Sequence, residues 1–324
     1  MKIKNIEIQG HVILGPMAGV TTLAYRDFMK AFGVGLSYSE MISDCGIDYG
    51  NARTFEYLQT SKLDRPVGLQ LFGFSAQNAV KAIEIIEKCA DFDMLDINLG
   101  CPVFKVTKTG AGSAWLKDPV ALEEYMKEIC RVSTKPVSAK IRLGWDENSI
   151  NVYEVAEALE RAGVSFLTIH CRTKAQGYMG EADYHAISDM KNHIKIPFCV
   201  SGDIFTPQKA KEAIDITGAD CVMVARGGVG NPYLVTQINH YLDTGELFPS
   251  PGVIQQAIWA EDLANKVMEQ KGEIVGVREL RGIIPHFFSG FPGYKKIRNE
   301  IATKTHTKEQ LMRVLHGIQD RGTC

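Results

Sequence analysis

Met94-Leu95-Asp96-Ile97-Asn98-Leu99-Gly100-Cys101-Pro102 is a short apolar run that ends in a polar residue and a glycine- and proline-bearing turn. Asp118-Pro119 then supplies an N-cap and a proline at the first helical position, opening a helix over 118–131. Together they read as one strand and its returning helix. Runs of the same kind recur on both sides, at His11–Leu14, Leu36–Tyr38, Val67–Leu71, Val137–Ile141, Phe166–Ile169, Phe198–Val200 and Cys221–Val224. Most are apolar on both faces, as parallel strands covered by helices must be. Between them, Ala79, Ala82, Ile83 and Ile86 fall on one helical face, and Thr206-Pro207 repeats the helix-start signal. Eight β/α units over 11–226 predict an α/β fold, a TIM (β/α)8 barrel, with a doubly wound open sheet as the second architecture.

After the barrel the texture changes. A turn-rich linker at 243–252 separates a barrel domain at 1–242 from a segment at 253–324 in which strand-like runs largely stop. Ala260, Leu263, Ala264, Val267 and Met268 form one apolar helical stripe, and Leu311, Val314, Leu315 and Ile318 another, preceded by Thr307 and Gln310 at capping-box spacing. The tail therefore reads as a small all-α helical bundle.

Composition narrows the function. The 324 residues are 45% hydrophobic and 23% charged, ordinary for a globular protein and unlike a disordered or fibrous one. No apolar run has the length of a membrane span, and the start has no secretory signal. Eight cysteines without a C-x-x-C pair argue against a zinc site or a disulfide framework and for a reducing cytoplasm. No metal is expected, and a monomer is the default. Net charge is −2, but residues 271–324 hold ten Lys/Arg against five Asp/Glu, a balance of +5. That leaves 26 against 33, or −7, on the other 270 residues. A basic tail on an acidic body suits nucleic-acid contact, and equally a solvated helical face.

Barrel chemistry gathers at the C-terminal ends of the strands. Here those ends carry Pro16-Met17-Ala18-Gly19, Glu40, Gln70, Asn98 with Cys101, Lys140 with Arg142, His170 with Arg172, Ser201-Gly202-Asp203, and Arg226-Gly227-Gly228. The last two follow strands 7 and 8, where barrels commonly hold phosphate on backbone N–H groups. Lys140 ends a buried strand, so it is paired or functional: a Schiff-base amine, a stabiliser of negative charge on a ring, or a salt bridge to Glu40 or Asp96. Gln70 and Asn98 suit the edges of a heterocycle, or tie loops together. A free cysteine is most often a small buried hydrophobe, the reading given to Cys89, Cys130, Cys199 and Cys221. Cys101 differs by position, because its turn presents the thiol to the mouth as a proton donor or nucleophile. His170 reads as a hydrogen-bond donor.

Asn98-Leu99-Gly100-Cys101-Pro102, with Lys105-Val106 and Gly110-Ala111-Gly112-Ser113-Ala114, resembles the signature of the tRNA-dihydrouridine synthases. Pro16-Met17-Ala18-Gly19-Val20-Thr21, Lys140-Ile141-Arg142, His170-Cys171-Arg172-Thr173 with Gly177-Tyr178-Met179-Gly180, and Arg226-Gly227 with Gly230-Asn231-Pro232 follow the family pattern in order. The resemblance runs from about residue 3 to 318 and is nearest the bacterial B-type branch. It implies FMN over the barrel mouth, NADPH as reductant, and tRNA on the basic helical tail. By carry-over, Pro16, Met17 and Ala18 line the flavin ring, and Gln70 and Lys140 meet its polar edge. His170, Ser201, Gly202, Asp203, Ala225, Arg226 and Gly227 hold the flavin and its phosphate. Cys101 protonates C5 of a uridine while hydride reaches C6. Asn98, Lys105, Arg142, Arg172 and Tyr178 surround the flipped uridine, and Lys295, Lys296 and Arg298 supply tail charge. Ser201 stands where many relatives carry Asn, and Ala225 where Gly is usual; both remain small.

Three other readings stay open. An FMN barrel oxidoreductase acting on a free pyrimidine-like molecule leaves the basic tail unused. A phosphate-binding lyase uses Lys140 as a Schiff-base amine. An RNA-binding protein on a catalytically dead barrel leaves the strand-end residues without a purpose.

Overall fold

A computed structural model describes residues 1–320; Arg321, Cys324 and the two residues between them, the end of the expected 253–324 bundle, lie outside the described residues. Eight parallel strands close into a barrel: β1 Val12–Leu14, β2 Leu36–Ser43, β3 Val67–Phe72, β4 Met94–Asn98, β5 Val137–Arg142, β6 Phe166–His170, β7 Phe198–Ser201 and β8 Cys221–Val224. β8 pairs back onto β1, so the open-sheet alternative is excluded. The strands bury both faces because helices cover the outside and side-chain layers fill the inside.

One strand departs from its expected length. β2 runs on to Ser43, with a shift of register against β3 between Tyr38 and Met41. The polar pair Ser39-Glu40, which ends the apolar run in the sequence, is the bulge itself. Ser39 Oγ donates to the Glu40 carbonyl at 2.8 Å and accepts from Gln70 N–H at 3.0 Å, so its side chain satisfies the interrupted ladder. The bulge turns Glu40 toward the loop after β1, where its carboxylate accepts from Gly19 N–H at 2.5 Å.

The barrel helices include α1 Leu23–Lys30, α2 Ala76–Cys89, α3 Pro119–Val132, α4 Val152–Arg161, α5 Pro207–Thr217 and α6 Tyr233–Thr244. Their starts follow the sequence signals: Asp118 Oδ1 accepts from Ala121 N–H at 2.9 Å, and Thr206 Oγ1 from Lys209 N–H at 3.1 Å. On α2 the stripe Ala79, Ala82, Ile83 and Ile86 is buried. Cys89 corrects one expectation. It is the last residue of α2 and exposed, while Cys130 is half-buried and Cys199 and Cys221 are buried as expected.

The tail is helical: α7 Val253–Lys271, α8 Glu273–Leu280, a 3-10 turn at Ile284–Phe288, α9 Lys295–Lys304 and α10 Lys308–Gln319. Thr307 caps α10 by accepting from Gln310 N–H at 3.2 Å; the Gln310 side chain reaches back to His306 N–H at 2.8 Å, one residue short of a closed capping box. The tail shares the barrel's core. Phe28 of α1 meets Phe287 at 6.3 Å between ring centroids, Phe32 meets Trp259 edge-on at 5.2 Å, and one apolar cluster runs through both. Among the described residues no helix is long and apolar enough to cross a membrane.

A buried ion pair anchors α1 to the loop before β3. Arg26 Nε donates to Asp64 Oδ2 at 2.7 Å, and its other nitrogens reach the carbonyls of Thr21 and Gln59. Asp64 Oδ1 accepts from Ser37 Oγ at 2.5 Å. Removing one partner strands the other charge. Asp64→Ala is expected to lower unfolding free energy by about 3–5 kcal/mol in urea melts. Adding Arg26→Met should recover part of that loss; an unchanged midpoint for Asp64→Ala would mean that the pair carries no stability.

Candidate active site

The C-terminal ends of the strands open on a cavity of about 530 Å³. Pro16, Met17 and Ala18 form one wall, and Cys101, Lys140, Arg142, His170, Tyr178 and Arg226 converge on it from the ends of β4, β5, β6 and β8. A smaller slot adjoins it between the last two loops, lined by Ser201, Gly202, Asp203, Ala225, Arg226 and Gly227. Pro16, Met17, Lys140, His170, Tyr178 and Arg226 border both spaces. A groove of about 620 Å³ lies nearby between α1 and α8, lined by Arg26, Arg53, Lys271 and Arg278 together with Glu40, Glu56 and Glu279, and by no thiol.

The Cys101 turn is held from several sides. Asn98 Oδ1 accepts from Gly100 N–H at 3.2 Å and Cys101 N–H at 2.9 Å. Arg142 Nε donates to Gly100 O at 2.8 Å, and Ser113 N–H to Cys101 O at 3.1 Å. Gly112, at φ +61°, packs where an added Cβ would lie 2.9 Å from Cys101 O, so only glycine allows the approach. Burial raises the thiol pKa above its ordinary 9.0, against the pull of a Val103 N–H and the Arg142 and Lys140 charges. Cys101 is therefore a neutral thiol at neutral pH.

Beneath the turn a buried polar chain crosses the barrel. Asn98 Nδ2 donates to Gln70 Oε1 at 2.8 Å, Gln70 Nε2 to Asp96 Oδ2 at 2.6 Å, and Ser138 Oγ to Asp96 Oδ1 at 2.6 Å. Burial pushes Asp96 up to about 6, opposed by the Ser138 and Gln70 bonds and the Lys140 charge. Gln70 is wholly buried in this polar chain and lines neither space.

Lys140 Nζ makes no hydrogen bond or ion pair among the described residues, so neither Glu40 nor Asp96 forms the salt bridge considered for it. Burial, with Arg142 beside it, lowers its pKa to about 8. His170 is held well below its ordinary 6.5 by burial and by four cations, Lys140, Arg142, Arg172 and Arg226, so the ring is neutral.

The other expected residues divide. Arg142 Nη1 donates to Thr173 O and Gly177 O, leaving Nη2 without a partner among the described residues. Arg172 is buried and committed to Met179 O, Gly180 O and Asp203 Oδ2, the last at 2.6 Å. It does not line the cavity but braces the loop that carries Tyr178. Asp203 also accepts from Ala182 N–H; burial opposes ionisation, and Arg172, Ala182 and Arg226 outweigh it to lower the pKa. Among the described residues no carbonyl accepts from the N–H groups of Arg226 and Gly227. Lys105 is exposed beside the mouth, and Lys295, Lys296 and Arg298 are exposed on α9. Met41, Val103, Val229, Gly282 and His286 also line the cavity without a local signal to mark them; the last two come from the tail.

Comparison with known proteins follows from this arrangement. The family model described as "Dihydrouridine synthase (Dus)" matches residues 13–321. A probable tRNA-dihydrouridine synthase of Rickettsia conorii is 35% identical, covering 93% of this chain and 91% of the relative. A tRNA-dihydrouridine synthase B of Pseudomonas putida is 34% identical over 99% of this chain and 95% of its own. Among solved structures, histamine dehydrogenase from Rhizobium sp. 4-9 superposes with TM-score 0.57 at 13% identity, over 82% of this chain and 50% of that one. Morphinone reductase superposes at 0.50 with 14% identity, over 78% and 91%; both likenesses speak for the barrel alone. With one family matched across barrel and tail, and relatives aligned over nearly their full length, the chain belongs to the dihydrouridine synthase family of enzymes.

Proposed function

We propose that the chain reduces the C5–C6 double bond of uridines in tRNA to 5,6-dihydrouridine, with FMN as resident cofactor and NADPH as its reductant. One observation carries the reading: a thiol that stays protonated opens into the same cavity as an unpaired lysine, a neutral imidazole and an apolar wall. The relatives' names supply tRNA and dihydrouridine.

The residues fit FMN. An apolar wall at Pro16–Ala18 suits a flat ring, with Lys140 at its edge. The slot offers Arg226 and the N–H groups of Arg226 and Gly227 to a phosphate. At Gly202, φ +121°, an added Cβ would lie 2.8 Å from Ala182 Cβ and 3.2 Å from His170 Cδ2, closing the join between slot and cavity. His170, Ser201, Asp203 and Ala225 complete that holder, while Gln70 acts through Asp96 and Asn98. When bound and reduced, FMN supplies hydride to C6 of the uracil.

The chain's own part is the proton. Negative charge that develops on the uracil is quenched when Cys101 Sγ gives its hydrogen to C5. The thiolate left behind is favoured by Arg142 and Lys140 and recovers a proton from water. Asn98 and Arg142 hold the Cys101 turn, and Arg142 Nη2 remains for the substrate. Tyr178 stands between Arg142 and Arg226, with cation-to-ring distances of 5.6 and 4.7 Å, as a face for the extruded base. Lys105 and the α9 cations meet RNA phosphates. The lowered Lys140 pKa also suits a Schiff-base amine; borohydride trapping with a carbonyl substrate would favour that second reading.

Cys101→Ala is expected to keep flavin and its bleaching by NADPH while slowing uridine reduction about 100- to 10,000-fold, read by reoxidation with unmodified tRNA. Retained turnover would remove Cys101 as the acid. The pH profile carries a sign. A thiol raised above 9.0 donates below its pKa and fails as pH rises through it. Uridine reduction should therefore stay level from pH 7 to about 9 and fall above; loss already near pH 7 would contradict a neutral thiol. Replacing Lys295, Lys296 and Arg298 together with Ala should reduce the slope of log affinity against log salt for tRNA by about 2–3, with NADPH oxidation intact. An unchanged slope would leave α9 without an RNA role.

A further inference from the structure

The turn that carries Cys101 continues into an apolar tip. Val103 is 52% exposed and lines the cavity; Phe104 is 76% exposed and makes no ring contact among the described residues. Together they form an apolar tip that begins at the cavity wall and ends in solvent. The tip is also stiff. Val106 and Thr107 N–H groups donate to Val103 O at 2.9 and 3.0 Å, and Lys108 N–H to Phe104 O at 2.9 Å. Beneath it, Val106 and Ala111 pack with Cys101 in a small apolar cluster backed by Met41 and Phe72. The ring is thus presented on a fixed support three residues from the thiol.

Two further residues define the partner's chemistry. Lys105 and Lys108 flank the ring on the same short turn, are exposed, and pair with no carboxylate among the described residues. An aromatic tip between free ammonium groups matches a strand with stacked bases on an anionic backbone. It also matches an anionic lipid surface, but a lipid surface gives no reason for Val103 to line the cavity of Cys101.

We propose that Phe104, with Val103, is a stacking wedge that enters the gap left in folded RNA when the target nucleotide turns out toward Cys101. This rests on the reading above that the substrate is a uridine within tRNA. Extruding a base breaks two stacking contacts, and an apolar side chain inserted at that step replaces part of them. A ring fixed to the Cys101 turn couples insertion to placement of the uracil over the thiol.

Binding tests the wedge without requiring turnover. Full-length wild type, Phe104→Ala, Phe104→Trp and Lys105→Ala are titrated with unmodified folded tRNA across a salt series. Phe104→Ala should weaken affinity about 10- to 100-fold at every salt concentration with an unchanged slope, because stacking is not ionic. Phe104→Trp should restore it, and Lys105→Ala should lower the slope by about 1. On oligouridine, which has no stack to open, Phe104→Ala should lose less than on tRNA. Unchanged tRNA affinity, equal loss on both RNAs, or a changed slope in Phe104→Ala would overturn the wedge. So would Phe104-dependent sedimentation with phosphatidylserine vesicles, which assigns the tip to lipid. Failure of the proposed function reads differently: wild type would bind tRNA without reoxidising reduced flavin, and the wedge comparison would still decide.

Discussion

Asp96 is a carboxyl group inside the barrel with no cation in ion-pair distance among the described residues, and the geometry of the mouth depends on how it is satisfied. Ser138 and Gln70 take its two oxygens, Gln70 then turns its carbonyl to Asn98, and Asn98 turns its own carbonyl to the N–H of Cys101. Each amide has one orientation that leaves no buried donor facing a donor. Buried polar groups are costly unless paired, so the chain locks as a unit. The catalytic turn inherits its position from a carboxyl group at the core of β4.

The mouth has the opposite problem, an excess of positive charge. Lys140, Arg142, Arg172 and Arg226 gather around His170, and Asp203 is the carboxylate that compensates two of them. Burial together with that imbalance keeps His170 neutral and lowers Lys140, and the part due to charge relaxes when an anion enters. On the proposed function, a phosphate in the slot and negative charge on a ring would each offset that excess. Cys101 fits the same logic, because burial keeps its proton on and the nearby cations soften the cost of giving it up.

The fold was legible because parallel strands covered on both faces must be apolar throughout, and runs such as Phe166–Ile169 have no other explanation at that spacing. Strand-end residues were legible for the same reason: a lysine or cysteine closing an apolar run stands out. Their partners were not. Nothing local says whether Gln70 and Asn98 face a ligand or each other, since that depends on Asp96 and Ser138 on neighbouring strands. Arg172 likewise reads as a substrate contact until Asp203, 31 positions on, takes its guanidinium. The β2 bulge escaped because Ser39-Glu40 looks like the end of a strand, and Cys89 because its spacing from Ala82 and Ile86 continues the buried stripe while its place at the end of α2 leaves it exposed.

Gly282 and His286 change what the tail is for. In the sequence they are unremarkable residues of a basic helical segment, yet they close the cavity opposite Val103. Phe287, next to His286, is packed on Phe28 of α1, and Gly230 fits against the His286 backbone where an added Cβ would lie 2.3 Å from the carbonyl carbon. The roof of the site is therefore fastened to the barrel by apolar packing and a glycine contact rather than by a flexible tether. On the proposed function, an RNA bound to α9 would be held in register with Cys101, because the tail and the barrel share one apolar core.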